Sequence, residues 1–180
     1  AMKVLLIFKD SVAVERMAIM QISAALKHAG HQVRLFILGV SPREELDRLM
    51  SQYGPRVIGY SAMTGEHLAL AALNNELKQA HEFTAVFGGP HATFCPEFID
   101  EENVDAICTG EGDLVFPEFC SRLEAGGPFW QTETFLVKHE GKVHRNSLGN
   151  LVPELEALEY PDRAVLYDAD PNIARLGTKY

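Results

Sequence analysis

Cysteine, tryptophan and positive charge are all scarce in this sequence. Its 180 residues include three cysteines and one tryptophan, and Lys+Arg 16 against Asp+Glu 25 gives a formal charge of −9. Cys95, Cys108 and Cys120 stand 13 and 12 positions apart, which excludes a disulfide framework and the paired spacing of a zinc or iron–sulfur site. Free thiols in a chain large enough to need no staples suit a reducing cytoplasm. Without a cluster of Lys and Arg, neither nucleic acid nor an anionic membrane surface is the main partner. The apolar run Val4-Leu5-Leu6-Ile7-Phe8 is closed by Lys9-Asp10, too short for a membrane span or a signal-peptide core. Ala1 before Met2 reads as a cloning remnant. None of the seven histidines forms an H-x-x-x-H pair.

What is present is the composition of an ordinary folded domain, 47% hydrophobic and 23% charged. Short apolar runs alternate with longer amphipathic stretches, the pattern of βα units around a parallel sheet. Strands are expected at Lys3–Phe8, Gln32–Leu38, Val57–Ser61, Thr84–Gly88 and Ala106–Thr109, apolar on both faces as strands covered by helices should be. Helices are expected at Val14–Ala29, Glu44–Tyr53, Glu66–Ala80 and Asp113–Ala125; Gly30 and Gly126-Gly127 mark ends, and Ser41-Pro42 a beginning. After Pro128 the alternation stops. Thr134–Lys138 and Lys142–Arg145 flank His139-Glu140-Gly141 as a β-hairpin. Leu148–Tyr180, with Pro153, Pro161 and Pro171, reads as a wrapped connector. The expected organisation is a doubly wound α/β domain over 2–127, five parallel strands in the order 2-1-3-4-5, followed by hairpin and connector over 128–180.

In such a sheet, ligands bind outside the carboxyl ends of the strands where the crossover direction reverses. The loops there are Lys9–Val14, Ser61–Glu66, Gly88–Pro96 and Thr109–Asp113. Gly88-Gly89 removes two Cβ atoms at a strand end, for a close ligand or simply for a tight turn. Ser61 and Thr64 bring hydroxyls, although Thr64 could merely cap a helix, and Gly110-Glu111-Gly112-Asp113 could be a helix entry capped by Asp113. The first loop contains no G-x-G-x-x-G and no P-loop, Ser61 stands where a receiver domain needs aspartate, and Ser11 alone does not make a flavodoxin site.

Val86-Phe87-Gly88-Gly89-Pro90-His91-Ala92-Thr93 and Val104-Asp105-Ala106-Ile107-Cys108-Thr109-Gly110-Glu111-Gly112-Asp113 together resemble the cobalamin-binding N-terminal domain of cobalamin-dependent radical SAM enzymes. Leu158-Glu159-Tyr160-Pro161-Asp162-Arg163 is similar to the segment leading toward the radical SAM barrel. The resemblance implies a cobalamin-binding module. Its contacts would come from Asp10, Ser11 and Val12, from Ser61, Met63 and Thr64, from Gly88, Gly89, His91 and Thr93, and from Gly110, Glu111 and Gly112. The nucleotide tail would enter the crevice beside Gly88-Gly89.

Two departures matter. The wider class carries D-x-H-x-x-G after strand 1; here Asp10 remains, but Val12 replaces the cobalt-ligating histidine and Glu15 the glycine. The resemblance therefore implies base-off cobalamin without histidine ligation, used for methyl transfer or related radical chemistry. The chain also lacks C-x-x-x-C-x-x-C, so the 4Fe–4S cluster and S-adenosylmethionine would belong to a radical SAM domain in cis, and the sequence reads as an excised part of a longer cytoplasmic enzyme. A degenerate domain that only docks substrate or barrel is the competing expectation.

Overall fold

The computed structural model describes residues 1–9, 16–149 and 158–177. The strands are β1 (Lys3–Lys9), β2 (Gln32–Leu38), β3 (Val57–Ser61), β4 (Thr84–Gly88), β5 (Ala106–Cys108), β6 (Phe135–His139) and β7 (Lys142–Arg145). They form one sheet in the order β2-β1-β3-β4-β5-β6-β7. The first five are parallel in the expected order, while β6 and β7 continue antiparallel from β5. The hairpin thus extends the main sheet. Its two-residue turn holds Glu140 and Gly141 at φ 49° and 74°, the left-handed pair that the twist of the flanking strands favours.

Alternation along the strands splits the core into two faces. Leu6, Phe8, Leu35, Val86, Ala106 and Cys108 face α1 (Met17–His28) and α5 (Val115–Glu124), which contribute Ile19, Met20, Leu26, Phe116 and Phe119. Leu5, Ile7, Ile58, Tyr60, Ala85 and Phe87 face α2 (Arg43–Arg48) and α3 (His67–Lys78), through Leu46, Leu70, Leu73 and Leu77. Beyond Arg48, α2 widens into a π turn over Leu49–Tyr53 and stops at Gly54, whose φ of 62° is left-handed. A short α4 (Pro90–Phe94) follows β4 directly.

The carboxyl-terminal segment differs from the connector expected of it. It contains α6 (Arg163–Ala169) and α7 (Pro171–Gly177), and Val165, Leu166 and Ile173 are buried in the α1/α5 face of the core. Of the prolines that suggested irregular chain, Pro161 stands just before α6 and Pro171 at the start of α7, where a missing N–H costs nothing; Pro153 lies outside the described residues. Asp162 fixes the docking. Its N–H donates to the Met20 carbonyl (3.1 Å), and its carboxylate accepts from Ser23 Oγ (2.6 Å), Lys27 Nζ and the Val165 N–H of α6. Among the described residues no helix is long and apolar enough to cross a membrane.

Candidate functional site

At the carboxyl end of the parallel strands, on the α1/α5 face, lies a cavity of about 210 Å³. The pairing registers place its wall in two rows. Leu6, Gly59 and Val86 lie side by side across β1, β3 and β4, and one residue pair nearer the sheet edge come Ser61 and Gly88, beside Cys108 of β5. Ile19, Ile22 and Phe116 close it from the helices, and Gly110, Glu111, Gly112 and Asp113 form its lip.

Three glycines shape its walls. A Cβ on Gly59 would stand 2.9 Å from the Phe116 ring, so glycine in mid-strand lets α5 approach. A Cβ on Gly88 would meet only the Cβ of Cys108, at 3.9 Å, and one on Gly112 would meet Ile22 at 3.3 Å. Gly89 has another task. Its φ is +90°, and a Cβ there would lie 2.9 Å from the Ala62 carbonyl oxygen. That carbonyl accepts the His91 N–H (3.0 Å), while the Ala62 N–H donates to Gly88 O (2.9 Å). Gly89 therefore holds the loops after β3 and β4 together, and Gly88 faces the cavity.

The lip is supported from β6. Thr109 donates both its N–H (3.0 Å) and its hydroxyl (2.9 Å) to the Thr134 carbonyl, and a Cβ on Gly110 would touch Thr134 at 3.0 Å. Burial and then the charge of Glu111 push the Asp113 carboxyl above the ordinary range. Asp113 does not cap α5, which starts without a side-chain cap. Burial raises the Cys108 thiol to about 11, so it is a neutral wall atom rather than a nucleophile.

The remaining expected residues sit elsewhere. Asp10, Ser11 and Val12 lie outside the described residues. Met63 and Thr64 are exposed in the loop after β3 and do not line the cavity. Met63 Sδ accepts from Arg16 Nη1 (3.6 Å); Arg16 also faces Glu66 Oε1 at 3.7 Å, while Glu66 Oε2 is buried with no hydrogen-bond partner among the described residues. His91 faces the other side of the sheet, stacked on His67 at 3.7 Å and edge-on to Phe98, with Thr64 Oγ1 3.3 Å from its Nδ1. Burial, then His67, lowers its pKa. Thr93 donates to Gly89 O within α4 (3.1 Å). Neither His67 nor His91 borders the cavity, and among the described residues no group of three His, Cys, Asp or Glu side chains could hold a metal ion. The sequence reading missed the inner wall of Leu6, Gly59, Val86 and Phe116. Only Gly59, a glycine inside an apolar strand, offered a signal.

Residues 6–120 match the family described as the B12 binding domain. An uncharacterized methyltransferase of Pyrococcus horikoshii is 27% identical over 133 residues, 70% of this chain and 29% of that protein. Among solved structures, the cobalamin-dependent S-adenosylmethionine radical enzyme OxsB, with aqua-cobalamin and S-adenosylmethionine bound, superposes with a TM-score of 0.72 at 16% identity, covering 94% of this chain and 25% of that one. The radical S-adenosylmethionine methyltransferase TsrM from Kitasatospora setae, with cobalamin and a 4Fe–4S cluster bound, gives 0.69 at 17% identity over 88% and 31%. At these identities the two structures show a shared fold. The chain spans less than a third of the length of each relative.

Proposed function

The chain belongs to the B12 binding domain family, and from that premise we propose that it holds cobalamin, with the nucleotide tail in the cavity beneath Ser61 and Gly88 and the corrin over the carboxyl edge of the sheet. The observation that carries this reading is the cavity itself: it opens at the strand-order reversal, and Gly88 is bare of side chain on the side facing it. Ser61 supplies a hydroxyl at its upper row. The unpartnered Glu66 Oε2 suits the amide donors that rim a corrin, since a buried acceptor left unpaired costs about 1–3 kcal/mol.

A cobalamin held here would find no histidine for the lower side of its cobalt: in the sequence Val12 stands where the wider class has its ligating histidine, and His67 and His91 are stacked on each other away from the cavity. With its nucleotide tail in the cavity, such a cobalamin would be base-off and His-off. Cobalamin supplies a cobalt that takes up and gives away an alkyl group, and the residues here bind it and keep competing donors from its lower side. The whole protein is proposed to act as a methyltransferase or related radical enzyme, with a radical SAM domain in cis holding the 4Fe–4S cluster and S-adenosylmethionine. The methyltransferase name of the Pyrococcus relative and the cofactors named for OxsB and TsrM support that extension.

The test is titration of the purified chain with hydroxocobalamin under oxidising and reducing conditions, followed by desalting and visible spectroscopy. Corrin absorbance that travels with the protein supports binding; its absence, repeated in the full-length protein, leaves the docking role. Electron paramagnetic resonance of the cobalt(II) form should show no superhyperfine splitting from an axial nitrogen. Splitting abolished by His67→Ala or His91→Ala would overturn the His-off assignment.

A further inference from the structure

The polar atoms of the cavity are distributed by depth. Ser61 lies in the upper row, and Glu111 and Asp113 lie on the lip. The inner row is Leu6, Gly59 and Val86, closed by the Phe116 ring and by Ile22. Among the described residues, no side chain of this inner row carries a hydrogen-bonding atom. The strand backbone offers none either, because Leu6–Gly59 and Gly59–Val86 are neighbours in the parallel ladder, which uses their N–H and carbonyl groups between strands.

Resting on the reading that the nucleotide tail occupies this cavity, we propose that the chain selects among cobamides by the lower base, accepting a base whose far ring is apolar, such as dimethylbenzimidazole, and discriminating against a purine. A base entering from the lip presents its ribose side to Ser61 and Asp113 and its far ring to Leu6, Val86, Ile22 and Phe116. A methylated benzene ring buries carbon there and leaves one ring nitrogen to be satisfied near Ser61. Adenine instead carries an exocyclic amine and ring nitrogens on its far ring. Each would lose water and find no partner, and a buried unpaired polar group costs enough to weaken binding about tenfold or more. The asymmetry matches the general rule that a pocket rejects strongly only what leaves polar groups unpaired.

The experiment compares the affinity of this chain for cobalamin, adeninyl-cobamide and the baseless cobinamide, by spectral titration of each. The expected order is cobalamin tightest, with adeninyl-cobamide weaker by at least about tenfold. Val86→Thr, nearly isosteric, places a hydroxyl in the inner row and should narrow the gap between the first two ligands while its circular dichroism matches the parent. Equal affinity for cobalamin and adeninyl-cobamide overturns the selectivity even though cobalamin binds. Equal affinity for cobinamide shows that the tail does not use the cavity, and failure of all three to bind, repeated in the full-length protein, removes the cofactor reading together with this one. The comparison of the three ligands needs no variant, so it decides the proposal even if Val86→Thr fails to fold.

Discussion

Adjacent residues of the same type can carry unrelated constraints, and Gly88 and Gly89 are such a pair. Gly88→Val projects a branched side chain into the cavity while meeting only Cys108, so folding should survive. Overpacking of about 1–3 kcal/mol then falls on the ligand, a loss of about ten- to a hundredfold in cobalamin affinity by spectral titration. Gly89→Ala should fail differently. A φ of +90° and a 2.9 Å approach to the Ala62 carbonyl oxygen predict about 1–3 kcal/mol of lost stability, read as a lower midpoint in urea. The thiols are equally distinct: Cys95 is partly exposed, whereas burial raises both Cys108 and Cys120 and removes them from solvent. An aromatic disulfide reagent should therefore label one thiol quickly in the native chain and three in denaturant.

At the scale of elements, the helices after Asp162 were the least legible part of the sequence. Each is seven residues long, and a helix of two turns holds too few apolar positions for its period to stand out from background. Strands β1 and β3 were plain because every interior position is apolar on both faces. The docking of α6 depends on Asp162. Burial works against its charge, but hydrogen bonds from Lys27 and Ser23 outweigh that and hold its carboxyl below the ordinary range. A depressed acid contributes stability that is present above its unfolded pKa of about 3.9 and is lost as pH falls through the lower folded value. Asp162→Ala should cost about 0.5–2 kcal/mol at pH 7, and the difference from the parent should shrink toward pH 3, as measured by thermal melting.

For the molecule as a whole, the strand order was readable because parallel strands with crossover helices admit few arrangements. The location of the site followed from that order, since the reversal between β1 and β3 selects one edge. Its inner wall was not readable, because Leu6, Val86 and Phe116 are indistinguishable in sequence from core residues until the registers place them around one space. The same registers show that β2 borders the sheet on one side and is covered by α6. A chain ending at Gly149 should expose Val33 and Leu35 along that border. Size-exclusion chromatography is expected to show association of this shortened chain and a monodisperse parent at the same concentration.

The place of β1 between β2 and β3 also has a consequence in time. Lys3–Lys9 leaves the ribosome before both of its neighbours in the sheet, Gln32–Leu38 and Val57–Ser61. At about 5–20 residues per second, the interval between making β1 and completing β3 is roughly 3–10 s. Throughout it, this apolar strand lacks its β3 neighbour, and the charges of Lys3 and Lys9 at its two ends are what oppose its pairing with other chains.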